Sequence, residues 1–323
     1  MARKYLVTGG AGFIGSNFIR YLFQNEPDAQ VTNLDLLTYA GVPATVAELD
    51  ENPNHEFVKG DIGDQDLLED VVPGHDVIVH FAAESHVDRS IVGPSPFLIT
   101  NVVGTGVLLD SALRHEIPRF IHISTDEVYG SVDEGFAAET APLDPSSPYS
   151  SSKAGSDLLA LSYFITYDYP VLVTRCTNNY GPHQFPEKVI PLFVTNLLEG
   201  RKVPLYGEGR NERDWLYVED HCSAVHTLVD RGEPGEIYNI GANAQLPNIT
   251  LTTAILDAFG LDESWIERVP DRLGHDLRYA VDSSKIRGLG WAPAHDFTDR
   301  LADTIAWYRE REDWWRPLKE SRS

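Results

Sequence analysis

Short runs rich in apolar residues recur along the first half of the chain, most closed by a polar or glycine-rich turn. Lys4–Thr8, Val31–Leu34, Glu56–Lys59, Asp76–Phe81, Phe120–Ser124 and Val171–Thr174 read as strands. Between most of them the apolar residues fall into a helical pattern, in a stretch ending near Phe23 and over Asp66–Val72, Phe97–His115 and Tyr149–Tyr167. Strands alternating with helices predict a parallel sheet covered on both faces. After Thr174 the pattern loosens, with Pro, Gly and aromatic residues recurring through Asn178–Arg213 and Val269–Trp291. Between these stretches, Glu236–Ile240 has the composition to return to the sheet. The expected α/β architecture is a Rossmann-type doubly wound sheet from residues 1–175 plus about 215–258. A smaller, discontinuous α/β substrate lobe, residues 176–214 plus about 259–323, would cap the carboxyl ends of the strands, where ligands bind. The Trp307-Tyr308 and Trp314-Trp315 pairs are expected to pack helices.

Composition narrows the class. With 323 residues, 42% hydrophobic and without low-complexity tracts, the chain is expected to fold as a globular protein large enough for two lobes. No stretch approaches the roughly 20 apolar residues that span a bilayer. The early strand and glycine loop leave no room for a cleavable leader. Two cysteines, Cys176 and Cys222, make no disulfide framework and fit a reducing cytoplasm. A formal charge of -23 argues against nucleic acid and anionic membranes as partners. Only seven of the 26 basic residues are Lys, a composition like that of proteins from salt-loving organisms. An ordinary acidic cytosolic enzyme is the alternative, and net charge does not separate the two.

Gly9, Gly12 and Gly15 follow the first strand and open a helix. Such glycines permit a tight turn, a close backbone approach to pyrophosphate and close packing of helix on strand. Asp35 ends the second strand 20 residues past Gly15, where a carboxylate holds the adenosine ribose and repels a 2′-phosphate. NAD is therefore favoured over NADP. The alternative is a structural turn with Asp35 capping a loop. Asp61-Ile62 and Ala82-Ala83-Glu84-Ser85, after the third and fourth strands, are placed to line the same cofactor.

Tyr149 and Lys153, four apart, share a helix face. A nearby ammonium and a positive nicotinamide ring would lower the tyrosine hydroxyl from its usual value near 10, making it a base toward a substrate hydroxyl. Asp126 and Glu127 follow the fifth strand. Neighbours on a strand point to opposite faces, so both face one pocket only if the strand ends by Thr125. Two carboxyls in a dry pocket should split, one protonated as acid and one ionised as base. The plainer alternatives are a coincidental Tyr and Lys on an amphipathic helix, and carboxylates that cap or face solvent. Arg213 and Lys188 are the candidate cations for an anionic ligand, unless Arg213 merely pairs on the surface with Glu212 or Asp214. His221, His226 and Cys222 lack further ligand pairs at useful spacing, so no metal site is expected.

With these residues in view, the chain resembles the extended short-chain dehydrogenases that act on nucleotide sugars, and among them the dTDP-glucose 4,6-dehydratases. The resemblance covers almost the whole chain. It rests on Leu37-Thr38-Tyr39-Ala40-Gly41, Ala82–Ser90, Ser124–Gly130, Asn178-Asn179-Tyr180-Gly181-Pro182, Pro186-Glu187-Lys188 and Gly274–Tyr279. Thr125-Asp126-Glu127 discriminates: 4-epimerases typically carry a small residue there, and related decarboxylases and GDP-mannose dehydratases Ser-Glu. The resemblance implies catalysis by Thr125, Asp126, Glu127, Tyr149 and Lys153 on dTDP-glucose, with C4 oxidation, water loss across C5 and C6, and hydride return. It implies an NAD site of Gly9, Gly12, Phe13, Ile14, Gly15, Asp35, Leu36, Leu37, Thr38, Asp61, Ile62, Phe81, Ala82, Ala83, Ser85, Thr100, Tyr149, Lys153 and Asn179. For the substrate it implies Ser85, Thr125, Asn178, Lys188, Val189, Pro204, Leu205, Tyr206, Arg213, Asn248, Asp271, Arg272 and His275. It also implies a homodimer built on Phe97–His115 and Tyr149–Tyr167. One departure stands out: Val42-Pro43-Ala44-Thr45-Val46 replaces the Asn-containing loop usual near the adenosine end. The rival functions are a 4-epimerase or other nucleotide-sugar remodeller, which needs no leaving group at C6, and a silent NAD sensor, which needs no Tyr149, Lys153 or paired carboxyls.

Overall fold

A computed structural model describes residues 2–320, so residues 321–323 of the expected lobe lie outside it. The apolar runs become β1 (Lys4–Thr8), β2 (Gln30–Asp35), β3 (His55–Lys59), β4 (Val77–His80), β5 (Phe120–Thr125) and β6 (Val171–Cys176). The looser half adds β7 (Asn178–Tyr180), β8 (Val203–Tyr206), β9 (Glu212–Tyr217), β10 (Ile237–Ile240), β11 (Gln245–Pro247) and β12 (Ile266–Val269). Seven strands form one sheet in the order β10-β6-β5-β4-β1-β2-β3, parallel throughout. The return of Glu236–Ile240 thus occurs, as the edge strand β10 beside β6.

Both faces of the sheet are covered, which is why its strands are apolar at successive positions. Tyr5, Val7 and Val79 pack with Phe18 and Leu22 on one face. Leu6, Leu34 and Ile78 pack with Leu68 and Leu108 on the other. The order of strands reverses at β1, between β4 and β2, and ligand crevices form at such a reversal.

The second core gathers the helices Val189–Leu198, Asn248–Ala258, Phe297–Glu310 and Glu312–Glu320 around Phe193, Leu251, Ile305 and Trp315. The helix Asn248–Ala258 was expected on the cofactor side but packs here. Conversely, Ile286 and Trp291 pack on the main core. Tyr308, Trp314 and Trp315 are buried, and the indole of Trp315 donates to the Tyr308 carbonyl at 2.7 Å.

Two further features differ from the reading of the sequence. The segment expected as an adenosine-side loop contains a helix, Pro43–Leu49, with proline at its start, where the missing N–H costs nothing. It buries Val46 and Leu49, while Glu48 pairs with Arg20 and Arg311, both at 2.7 Å. Secondly, Ser95–Arg114 is one continuous helix with a π-helical turn at Ile99–Gly104. Contrary to expectation it is long and apolar enough to cross a membrane, although 44% of its most apolar window is buried in the protein. It is apolar on two sides. Leu108 and Leu109 enter the core, whereas Leu98, Ile99 and Val103 are exposed, as are Leu158 and Ile165 of the neighbouring helix Pro148–Tyr167.

Candidate active site

At the carboxyl ends of β1, β2, β4, β5 and β6 lies a cleft of about 300 Å³. Its floor is the glycine loop. Gly9 adopts φ +73°, and a Cβ there would lie 2.6 Å from the Ala82 nitrogen. A Cβ on Gly15 would lie 2.4 Å from the Gly9 carbonyl oxygen. These positions therefore exclude side chains, and the helix Phe13–Asn25 starts at the same point. Its N-terminus turns free N–H groups and positive dipole toward the cleft, as a pyrophosphate requires.

Asp35 closes the far end. Its carboxylate accepts from the Ala11 nitrogen at 3.0 Å and the Leu37 nitrogen at 2.7 Å. Burial raises its pKa, and those two N–H groups oppose the rise. The cleft is lined by all the residues expected to bind cofactor except Leu37. Leu37, at φ +56°, instead makes the turn that leads its N–H back to Asp35.

The chemical residues enter the same cleft from β5 and from the helix Pro148–Tyr167. β5 ends at Thr125, as the two carboxyls require, and a 3-10 turn runs from Asp126 to Tyr129. Thr125 caps that turn, accepting from the Glu127 nitrogen at 3.2 Å. Asp126 is 3% exposed, with one long hydrogen bond from the Thr125 hydroxyl at 3.3 Å and an unpartnered Oδ2. Burial, then the neighbouring Glu127, pushes its carboxyl well above the ordinary range. Burial also raises Glu127, but Arg272, Arg213 and Lys188 pull it down. Both carboxyls are thus raised, Asp126 the more strongly, so of the pair Asp126 holds a proton more readily.

Tyr149 differs from expectation. Burial and the charge of Glu127 raise its hydroxyl well above 10, opposed by a hydrogen bond with Thr125. The Lys153 ammonium, brought to about 8 by burial, donates to the Ile123 carbonyl at 2.8 Å. Lys153 is not among the chief influences on the Tyr149 hydroxyl. Of the two expected causes, the positive nicotinamide ring is left.

Of the expected substrate residues, Ser85, Thr125, Asn178 and Lys188 line this cleft, and Lys188 donates to the Ser85 carbonyl at 2.7 Å. Val189, Pro204, Leu205, Tyr206, Arg213, Asn248, Asp271, Arg272 and His275 belong to the second lobe and its edges instead. Leu205 is a core residue, 2% exposed, so its side chain is not offered to a ligand. Arg213 is no surface ion pair. It is buried, stacked 4.1 Å over Tyr279, and donates to the Asp276 carbonyl at 2.9 Å. Asp271 pairs with His275 at 2.6 Å, and the Tyr206 hydroxyl donates to Asp88 at 3.4 Å. Asn248 begins the helix Asn248–Ala258 and keeps a buried, unpartnered Oδ1. The electrostatic pull of Arg213, Arg272 and Lys188 meets at Glu127.

Cys176 and Gln184 also line the cleft and were not foreseen. The position of Cys176 at the end of a sheet strand was the available signal for it. His221 contacts Asn179 at 2.9 Å and His226 contacts Glu26 at 2.7 Å. Among the described residues no group of three or more His, Cys, Asp or Glu is placed to hold a metal.

Comparison with known proteins agrees with this geometry. The family model described as GDP-mannose 4,6 dehydratase matches residues 6–304. A dTDP-glucose 4,6-dehydratase of an Actinoplanes species is 55% identical over 97% of this chain and 99% of its own. The low-salt glycan biosynthesis protein Agl12 of Haloferax volcanii is 54% identical over 94% of this chain and 97% of its own. DesIV, a dTDP-glucose 4,6-dehydratase of Streptomyces venezuelae solved with NAD and TYD bound, is 54% identical. It superposes with a TM-score of 0.96, over 98% of this chain and 99% of that one.

Proposed function

The chain belongs to the dTDP-glucose 4,6-dehydratases of the extended short-chain dehydrogenase family, and on that premise we propose that it converts dTDP-glucose to dTDP-4-keto-6-deoxyglucose. NAD suits the cleft, with its side-chain-free glycine floor and the Asp35 carboxylate at the ribose end. When bound, it supplies the acceptor for the C4 hydride and the donor that returns this hydride to C6. Tyr149 takes the proton of the C4 hydroxyl while Thr125 holds the same oxygen. Glu127 removes the C5 proton, made acidic by the new ketone, and a proton returns to C5 as the hydride reaches C6. Asp126 gives its proton to the departing C6 hydroxyl. Lys188, Arg213 and Arg272 hold the diphosphate, supplying local positive charge in a chain of net charge -23.

One observation carries this reading: Asp126 and Glu127 share the cleft of Tyr149 and Lys153, and burial favours the protonated form of Asp126. An epimerase has no use for that acid. Incubation of the purified protein with dTDP-glucose, followed by mass spectrometry, should reveal the loss of one water. An unchanged mass with a new C4 epimer would replace the dehydratase with an epimerase.

The cofactor is held by residues 1–175, packed with about 215–247, together with Asn179, and the nucleotide sugar by the remaining lobe, which includes the helix Asn248–Ala258. The protein works in the cytoplasm, which suits its two free cysteines. It is a homodimer through the exposed apolar face of Ser95–Arg114 and Pro148–Tyr167, because Leu98, Ile99, Val103, Leu158 and Ile165 otherwise stay in water. Ile165→Glu should give monomers by light scattering, and an unchanged mass would reject this face.

A further inference from the structure

Asp157 lies one helical turn beyond Lys153, and two turns beyond Tyr149, on the face of Pro148–Tyr167 that meets the sheet. It is fully buried, and its Oδ2 accepts from Arg175 Nε on β6 at 2.9 Å. The same guanidinium donates to the Tyr129 hydroxyl at 2.8 Å and lies 4.8 Å from the centre of its ring. Tyr129 is the last residue of the turn that begins with Asp126 and Glu127. Its hydroxyl in turn donates to Asn239 Oδ1 on β10 at 2.8 Å, and Asn239 Nδ2 is fixed to the Ala137 carbonyl at 2.9 Å. One buried arginine therefore joins the helix of Tyr149 and Lys153 to the turn of Asp126 and Glu127.

A buried ion pair is a poor device for stability alone, because apolar residues of similar volume often serve as well or better. Its geometry has another use. The two halves of the reaction act on neighbouring carbons of one sugar, so their side chains must stay in fixed register, and an error near 1 Å can cost about a hundredfold in rate. We propose that Arg175 and Asp157 are positioning residues that lock the hydride-transfer helix to the acid–base turn and give Lys153 its counter-charge. This rests on the roles assigned above to Tyr149, Asp126 and Glu127, with the charged Lys153 ammonium required for C4 oxidation.

The electrostatics agree. Although burial works against it, His122 and Arg175 hold the Asp157 carboxyl below its ordinary range. Burial brings Lys153 to about 8, and Asp157 and then Cys176 resist the fall. The other groups acting around Lys153 are His80 on β4 and His122 on β5, each kept neutral chiefly by burial, and Tyr149 on its own helix.

Two variants of the holoenzyme separate the two links. Tyr129→Phe cuts the tie to the turn and leaves the ion pair intact. Mixed with dTDP-glucose, it should lose water about tenfold more slowly while C4 oxidation keeps its rate, so reduced nicotinamide accumulates by its absorbance. Asp157→Asn removes the counter-charge, so the alkaline limb of the C4-oxidation profile should move down by about one pH unit. Equal slowing of both steps in Tyr129→Phe, or an unmoved alkaline limb in a folded, NAD-loaded Asp157→Asn, would overturn the proposal. Should Asp157→Asn not fold, the split between steps in Tyr129→Phe decides alone. A wild type that forms no dehydrated product removes the functional reading and this proposal with it. A wild type that dehydrates beside variants that do not differ from it removes the proposal only.

Discussion

Replacing Asp126 with asparagine should cripple the enzyme and stabilise the fold, and the size of the gain should depend on pH. The carboxyl is 3% exposed, receives one hydrogen bond at 3.3 Å, and has an oxygen without a partner. Burial and Glu127 raise its pKa well above the ordinary 3.8. In the unfolded chain the same group ionises near that ordinary value. Between the two values the folded form therefore carries one more proton than the unfolded form. Stability from this group is fully present below the unfolded value and is lost as pH rises toward the folded one, by about 1.4 kcal/mol per pH unit. Asparagine has no proton to lose. The stability difference between variant and wild type, from urea unfolding at pH 5 to 9, should thus widen with pH at about that slope until the folded carboxyl ionises. Water elimination should meanwhile fall by about 10² to 10⁴, the usual worth of a general acid, while C4 oxidation survives. A flat or narrowing difference would mean that Asp126 is ionised in the folded protein, and the assignment of acid and base would collapse.

Two further outcomes follow from the geometry. In Gly15→Ala, the new methyl meets the Gly9 carbonyl at 2.4 Å, so the loop must shift and NAD affinity should fall about tenfold or more, read by calorimetry; unchanged affinity would show that the loop has slack. In Trp315→Ala, loss of a fully buried indole and its bond to Tyr308 should cost about 3–5 kcal/mol in urea unfolding, without a defect in NAD binding by the variant that remains folded.

The central sheet was legible because most of its strands centre on short apolar runs with polar punctuation, and even the stop of β5 at Thr125 followed from needing both carboxyls in one pocket. The short strands of the second lobe were not. β7 and β11 have three residues each and take their shape from pairing with β9, which no local pattern announces. Pro43–Leu49 was hidden for a related reason. A seven-residue helix beginning with proline resembles a loop until Val46 and Leu49 are seen to be buried. Within the site, residue types gave the participants but not their electrostatics. Lys153 was expected to act on Tyr149, yet its ammonium donates to the Ile123 carbonyl, a contact across 30 residues. Asp157 and Arg175 carry no motif, and only the fold brings them to Tyr129.

The helix at Pro43–Leu49 leans on partners made much later. Arg311 reaches Glu48 across 263 residues and the Trp314 indole reaches Thr45 across 269. The amide of Val42, just before that helix, donates to the Ala11 carbonyl of the glycine loop at 3.1 Å. During synthesis on the ribosome, every strand of the main sheet emerges before those partners exist. A nascent chain can therefore assemble its sheet early, while the wall beside its glycine loop waits for the last helices to arrive. Cofactor capture would then follow the synthesis of Arg311 and Trp314, and a chain interrupted before them would show a formed sheet with a slack, protease-sensitive segment around residue 45.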